Sequence, residues 1–103
     1  MLPRRQRIPG REFPALKPRR KAASAYFVVK EFTNDTTTPR YAIVVGAGVD
    51  KRAYRRNVLR RRAAAVLLRS SLPPGDFVLI ILPPAGKLAR EEFVKELEAV
   101  LNQ

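Results

Sequence analysis

The stretch from Lys51 to Arg69 contains neither Gly nor Pro, and it lies between two apolar runs of strand length, Tyr41–Val45 and Phe77–Leu82. An uninterrupted helix between two strands predicts a parallel βαβ crossover, because a connection of this length returns the chain to the end of the sheet it started from. Asp50, just before the stretch, is the predicted N-cap. Leu59, Ala63, Val66, Leu67 and Ser70 recur at helical spacing and form the expected buried stripe, while Asn57, Arg61 and Ala64 are expected to point away from it. Leu68 fits neither group. The unbroken apolarity of Phe77–Leu82 reads as a strand covered on both faces.

The remaining elements follow from the same patterns. From Ala25, the residues Tyr26, Phe27, Val28, Val29 and Phe32 predict a further strand. Asn34, Asp35, Thr36 to Thr38 and Pro39 supply turn chemistry, so this strand and Tyr41–Val45 are expected to form an antiparallel hairpin. Pro3, Pro9, Pro14 and Pro18 prevent any long helix over residues 1–24, which read as an extended basic arm. Gly46-Ala47-Gly48 lacks the further glycines and the Lys-Ser/Thr of a phosphate-binding loop and reads as a turn. After Pro83 and Pro84, a last helix places Phe93, Val94, Leu97, Val100 and Leu101 on one face. Glu91, Glu92, Glu96 and Glu98 occupy the rest, as solvating charges with no chemistry assigned. The expected architecture is α+β, a two-layer α/β sandwich with a small sheet, in one domain of residues 1–103 (arm 1–24, core 25–103).

Charge narrows the partners. Lys and Arg number 21 against 9 Asp and Glu, a net charge of +12, and the basic residues are concentrated. Seven of them fall between Lys51 and Arg62, and no acid follows Asp50 until Asp76. Long cations on one rigid rod suit a row of phosphates, and Asn57 among them adds a neutral amide that can hydrogen-bond a base edge or a backbone oxygen. The nucleic-acid contacts are therefore expected at Lys51, Arg52, Arg55, Arg56, Asn57, Arg60, Arg61 and Arg62. The arm adds Arg4, Arg5, Arg7, Arg11, Lys17, Arg19, Arg20 and Lys21, and the acidic last helix is expected to face away. Phe13, Tyr26, Phe27 and Phe32 either fill the core or stack unpaired bases. There is no His and no Cys, so protein-borne catalysis is disfavoured and neither a catalytic residue nor a metal site is assigned. No membrane segment, secretory signal or small-molecule substrate is expected, which implies a cytoplasmic protein.

Several motifs occur together in an order that resembles the bacterial ribonuclease P protein subunit. They are Met1-Leu2-Pro3 with following basic residues, Arg11-Glu12-Phe13, the helix Arg56-Asn57-Val58-Leu59-Arg60-Arg61-Arg62, and the strand Pro74-Gly75-Asp76-Phe77-Val78-Leu79-Ile80. Three places depart from the family pattern: Val58 stands where an Arg is usual, Gly46-Ala47-Gly48 where Ser-Lys-Lys is usual, and Ala63 to Ala65 cover a usual Arg-Glu. The resemblance implies a ribonucleoprotein in which a catalytic RNA subunit, with its own bound Mg²⁺, removes the 5′ leader of precursor tRNA. The protein would hold no cofactor and cleave nothing alone. It also implies a left-handed βαβ crossover, a helix role for Arg56, Asn57, Arg60 and Arg61, and a leader cleft at Phe13, with Tyr26 and Phe27 as further positions. The alternatives are another basic RNA-binding module, such as a ribosomal protein, and a DNA-binding protein.

Overall fold

The computed structural model describes residues 7–8, 18–32 and 38–103. Along the chain it contains β1 (Pro18–Ala23), β2 (Phe27–Phe32), β3 (Pro39–Val45), α1 (Ala53–Arg69), β4 (Gly75–Ile81) and α2 (Arg90–Leu101), with a 3-10 turn at Pro83–Lys87 before α2. β4, the most apolar strand, takes an interior place in the sheet order β1-β2-β4-β3. It pairs parallel with β3, so β3, α1 and β4 form the parallel crossover expected from the sequence.

The hairpin expected between β2 and β3 is absent, because β4 lies between them and pairs antiparallel with β2. The register gives the reason. Phe32 at the end of β2 is opposite Asp76, and Pro39 at the start of β3 is opposite Gly75, so the ends joined by residues 33–38 flank the start of β4. They stand two interstrand spacings apart, about 10 Å, too far for a two-residue turn. The hairpin partner of β2 is instead β1, paired antiparallel with it. Ser24 closes this turn: its Oγ accepts from the amides of Tyr26 (3.1 Å) and Phe27 (3.3 Å), and its own amide donates to the Phe27 carbonyl at 2.8 Å. The sheet therefore begins at Pro18, inside the stretch read as an arm. Pro18 stands at the first position of an edge strand, where its missing N–H costs no ladder bond.

One face of the sheet carries the core. Ala22, Phe27, Val29, Tyr41, Val45, Phe77, Leu79 and Ile81 are buried in one cluster with Leu59, Ala63, Ala64, Val66 and Leu67 of α1 and Phe93, Leu97 and Val100 of α2. α1 lies against β3, α2 against β2 and β1, and the two helices touch each other. Phe27 meets Phe93 edge-to-face at 5.1 Å and 89°, a geometry that adds about 0.5–1.5 kcal/mol to the area buried.

Three helix expectations change. Ala64 is buried rather than outward, because the Arg7–Ile8 segment bridges to Tyr41 along the outer edge of β3, and Ile8, Ala64 and Arg60 share one small cavity there. Leu68 is exposed. Asp50 is not the N-cap. Arg52 holds that position without a side-chain cap, and Asp50 Oδ1 accepts the Arg52 amide from two residues upstream. β4 also differs from expectation, since Val78 and Ile80 are only half-buried and, among the described residues, no helix packs over that face.

Gly86 fixes how the two helix approaches meet. A Cβ there would stand 2.9 Å from both the carbonyl oxygen and Cγ1 of Val49, in the loop leading to α1. Gly86→Ala is expected to cost about 1–3 kcal/mol, since a backbone oxygen must move to admit the methyl. A denaturant titration checks this, and an unchanged midpoint would mean that the two loops separate freely.

Candidate nucleic-acid interface

The cations of α1 divide into groups with different work. Asp50 gathers two of them: Arg52 Nε and Nη2 donate to its carboxylate at 3.1 and 3.0 Å, and Arg55 Nε stands 3.8 Å from Oδ2. The hydrogen bonds from the Arg52 side chain and amide, with the charges of Arg52 and Arg55, hold the Asp50 carboxyl at about 2. Arg52 also donates to the Tyr54 hydroxyl and lies 5.5 Å from the centre of its ring, which leaves an exposed aromatic at the start of the helix. Arg56 Nη1 donates to the carbonyls of Asp50 (2.8 Å) and Lys51 (2.9 Å), tying the incoming loop to the helix. Arg60 Nη1 donates to Asn57 Oδ1 at 2.8 Å, so the Asn57 amide presents its N–H donors outward. Lys51 and Arg61 are exposed and pair with no acid among the described residues. Arg62 turns inward, with its guanidinium 6.0 Å from the centre of the Phe93 ring.

All eight predicted positions thus lie on α1 or the two residues before it, but they are not equivalent. Lys51, Asn57, Arg60 and Arg61 present polar groups outward. Arg52 and Arg55 share one carboxylate, Arg56 braces a loop, and Arg62 is half-buried.

The second surface is the sheet face opposite the core. The register lays it out in rows: Ala23, Val28, Ile80 and Val44; then Lys21, Lys30, Val78 and Ala42; then Phe32, Asp76 and Arg40. Val28, Phe32, Ala42, Val78 and Ile80 are half-buried, and Val44, Lys21 and Lys30 are exposed. The result is an apolar strip with two ammonium groups on its β1–β2 side. Its far row is pinned by an ion pair in which Arg40 Nε and Nη2 donate to the two carboxylate oxygens of Asp76 at 2.8 and 2.7 Å.

This arrangement corrects one cleft assignment. Phe27 is fully buried under α2, on the core side, and no base can reach its ring. Tyr26 is half-buried and packs against the core cluster. Phe13 lies outside the described residues. The aromatic on the open face is Phe32, which alternation places on the Val28 side and which shared the choice between core and base stacking, but which was not assigned to the cleft. Lys30 and Lys21 were likewise missed as members of this surface. The signal was available for β2, where Lys30 interrupts an apolar run, but not for β4, whose two faces are equally apolar.

Among the described residues no cluster of acids, His or Cys is spaced to hold a metal ion, and no helix is long and apolar enough to cross a membrane.

Comparison with known proteins places this geometry. The family model of ribonuclease P matches residues 2–103. The ribonuclease P protein component of Synechococcus elongatus is 37% identical over 115 residues, covering 99% of this chain and 92% of that protein. The component from a Cyanothece species is 36% identical over 91 residues, covering 84% and 69%. Two solved structures share the fold. The RNase P protein of Staphylococcus aureus superposes with a TM-score of 0.80 at 23% identity, covering 94% of this chain and 93% of that one. That of Thermotoga maritima gives 0.72 at 22% identity, covering 94% and 96%.

Proposed function

The chain belongs to the ribonuclease P protein family, and from that premise we propose that its open sheet face holds the unpaired 5′ leader of precursor tRNA while the outer face of α1 lies on the RNA subunit. Membership makes the protein part of an endoribonuclease ribonucleoprotein with an RNA partner. The division between the two surfaces is our reading. The observation that carries it is the set of rows on the open face. A half-buried Phe32 with Val28, Val78 and Ile80 offers apolar contact to unpaired bases, and Lys21 and Lys30 stand where the backbone of such a strand would run.

On this reading the protein orients and the RNA cleaves. The side chains on the open face fix the leader strand, and Lys51, Asn57, Arg60 and Arg61 fix the domain on the RNA subunit through phosphate and amide contacts. Mg²⁺ held by the RNA would supply the activated water and charge stabilisation for phosphodiester hydrolysis. The setting is cytoplasmic, and the protein takes no cofactor of its own.

Phe32→Leu tests the cleft, because it keeps the apolar volume and removes the flat ring. In the holoenzyme it is expected to weaken binding of precursor tRNA by roughly 1 kcal/mol or more, the lower end for a lost stacking platform, with mature tRNA unaffected. Equal losses for precursor and mature tRNA would return Phe32 to a packing role and remove the leader from this face.

A further inference from the structure

Where α1 passes the first residue of α2, a cavity of about 290 Å³ is lined by Val58, Arg61, Arg62, Ala65 and Arg90. Three of these five residues are arginines and none is acidic. Arg62 is the unusual member: its Nη1 is shut off from solvent and has no hydrogen-bond partner. A buried guanidinium N–H without an acceptor is a costly arrangement, more so for an ion than for a neutral donor. Burial, followed by the charges of Arg55 and Arg90, pulls the Arg62 pKa down, so its surroundings resist the charge it carries. Glu91 and Glu92 follow Arg90 in the first turn of α2, but both are exposed and neither lines the cavity.

A single oxyanion in the cavity would answer this concentration of positive charge. It would offset the repulsion among the three arginines and engage planar guanidinium groups suited to the tetrahedral oxygens of a phosphate. We propose that the cavity formed by Arg61, Arg62 and Arg90 is a phosphate-binding pocket, occupied in the assembled particle by one backbone phosphate of the RNA subunit. The RNA assignment rests on the reading that the outer face of α1 meets that subunit. Arg61 is one helical turn from Asn57, so the pocket continues that face toward α2. α2, whose acidity argued that it faces away from RNA, thereby brings Arg90 to the interface.

The pocket is tested first without RNA. Inorganic phosphate is titrated into the whole chain at constant ionic strength, and the side-chain Nε–Hε resonance of Arg62 is followed by NMR beside thermal melts. A saturable shift of Arg62 and a rise in melting temperature are expected, both lost in Arg90→Gln and both kept in Lys95→Gln, an exposed α2 position that does not line the cavity. Arg90 is exposed, and a melt in chloride verifies that the variant is folded. No shift of Arg62, or the same shift in Arg90→Gln, overturns the pocket whatever the chain does with RNA.

RNA is the second arm. Arg90→Gln is expected to lower affinity for the RNA subunit about tenfold, the size of one charge-assisted contact, and to reduce the salt slope by about 1. Phosphate binding lost with RNA affinity unchanged overturns the RNA assignment and leaves a site for a free anion only. Lys51→Ala and Asn57→Ala, which lie outside the cavity, separate the two readings. If neither weakens RNA binding, it is the α1 interface that has failed, and the phosphate titration still stands on its own.

Discussion

Replacing Asp76 with alanine is expected to remove about 3–5 kcal/mol of folding stability, the usual loss when one partner of a buried ion pair is deleted. Asp76 is fully buried, and Arg40, only 13% exposed along its side chain, meets it with two hydrogen bonds in a fork-to-fork arrangement. Without the carboxylate, a mostly buried guanidinium loses both of these hydrogen bonds. For a domain of this size each kcal/mol moves the melting point by roughly 4–8 °C, so a fall of more than about 12 °C is expected. The double variant Asp76→Leu with Arg40→Met should recover much of the loss, because the burden lies in the desolvated guanidinium rather than in the missing pair. Denaturant titrations of the single and double variants decide the matter. A loss under about 1 kcal/mol for Asp76→Ala would put the pair among ordinary surface salt bridges.

That ion pair shows what the sequence could and could not disclose. Asp76 reads as the first residue of a strand, and Arg40 as the last residue before another. Only the parallel register of β3 and β4 sets them side by side. The same holds for the whole sheet. α1 and α2 were legible because their apolar stripes repeat within a few residues, and Leu59, Ala63, Val66 and Leu67, like Phe93, Leu97 and Val100, are buried as that period requires. Strand order depends on pairing between distant segments, which local pattern does not contain. β1 was hidden for a second reason: Pro, Lys, Arg and Ala have little strand propensity, and the segment is held by its partner rather than by its own composition. The open face of β4 could not be seen at all, because Val78 and Ile80 are as apolar as the residues that alternate with them.

The candidate site divides along the same line. Concentration of charge on one helix was legible from composition alone. Which cations remain available was not, since Asp50 captures Arg52 and Arg55 across a turn whose geometry differs from the expected cap, and Arg62 is drawn inward by an aromatic on another helix. Phe27 failed as a cleft residue because alternation tells which residues share a face but not which face is covered.

Those distinctions make the salt dependence of RNA binding the most discriminating measurement, and the one with the largest expected effect. A protein that neutralises 6–10 phosphates loses about 10³–10⁵ in affinity between 50 and 200 mM salt. With a net charge of +12, a loss on the order of 10³-fold over that range is expected for the whole chain binding the RNA subunit. The variants then resolve which residues contribute. Arg61→Ala removes an exposed cation with no acidic partner and should lower the slope by about 1 with little change in stability, as expected for an exposed helix position. Arg52→Ala should move it distinctly less, because the Arg52 guanidinium is already committed to the Asp50 carboxylate through Nε and Nη2 rather than presented to a phosphate. Asp50→Asn should steepen the slope by freeing both arginines for phosphates, although it loosens the approach to α1. Affinities measured across salt for these three variants check the assignment. A nearly flat dependence in the unaltered protein would sink electrostatic docking altogether. Equal slope changes for Arg52→Ala and Arg61→Ala would mean that RNA pulls Arg52 away from Asp50, and that the internal pairing does not limit which cations meet the backbone.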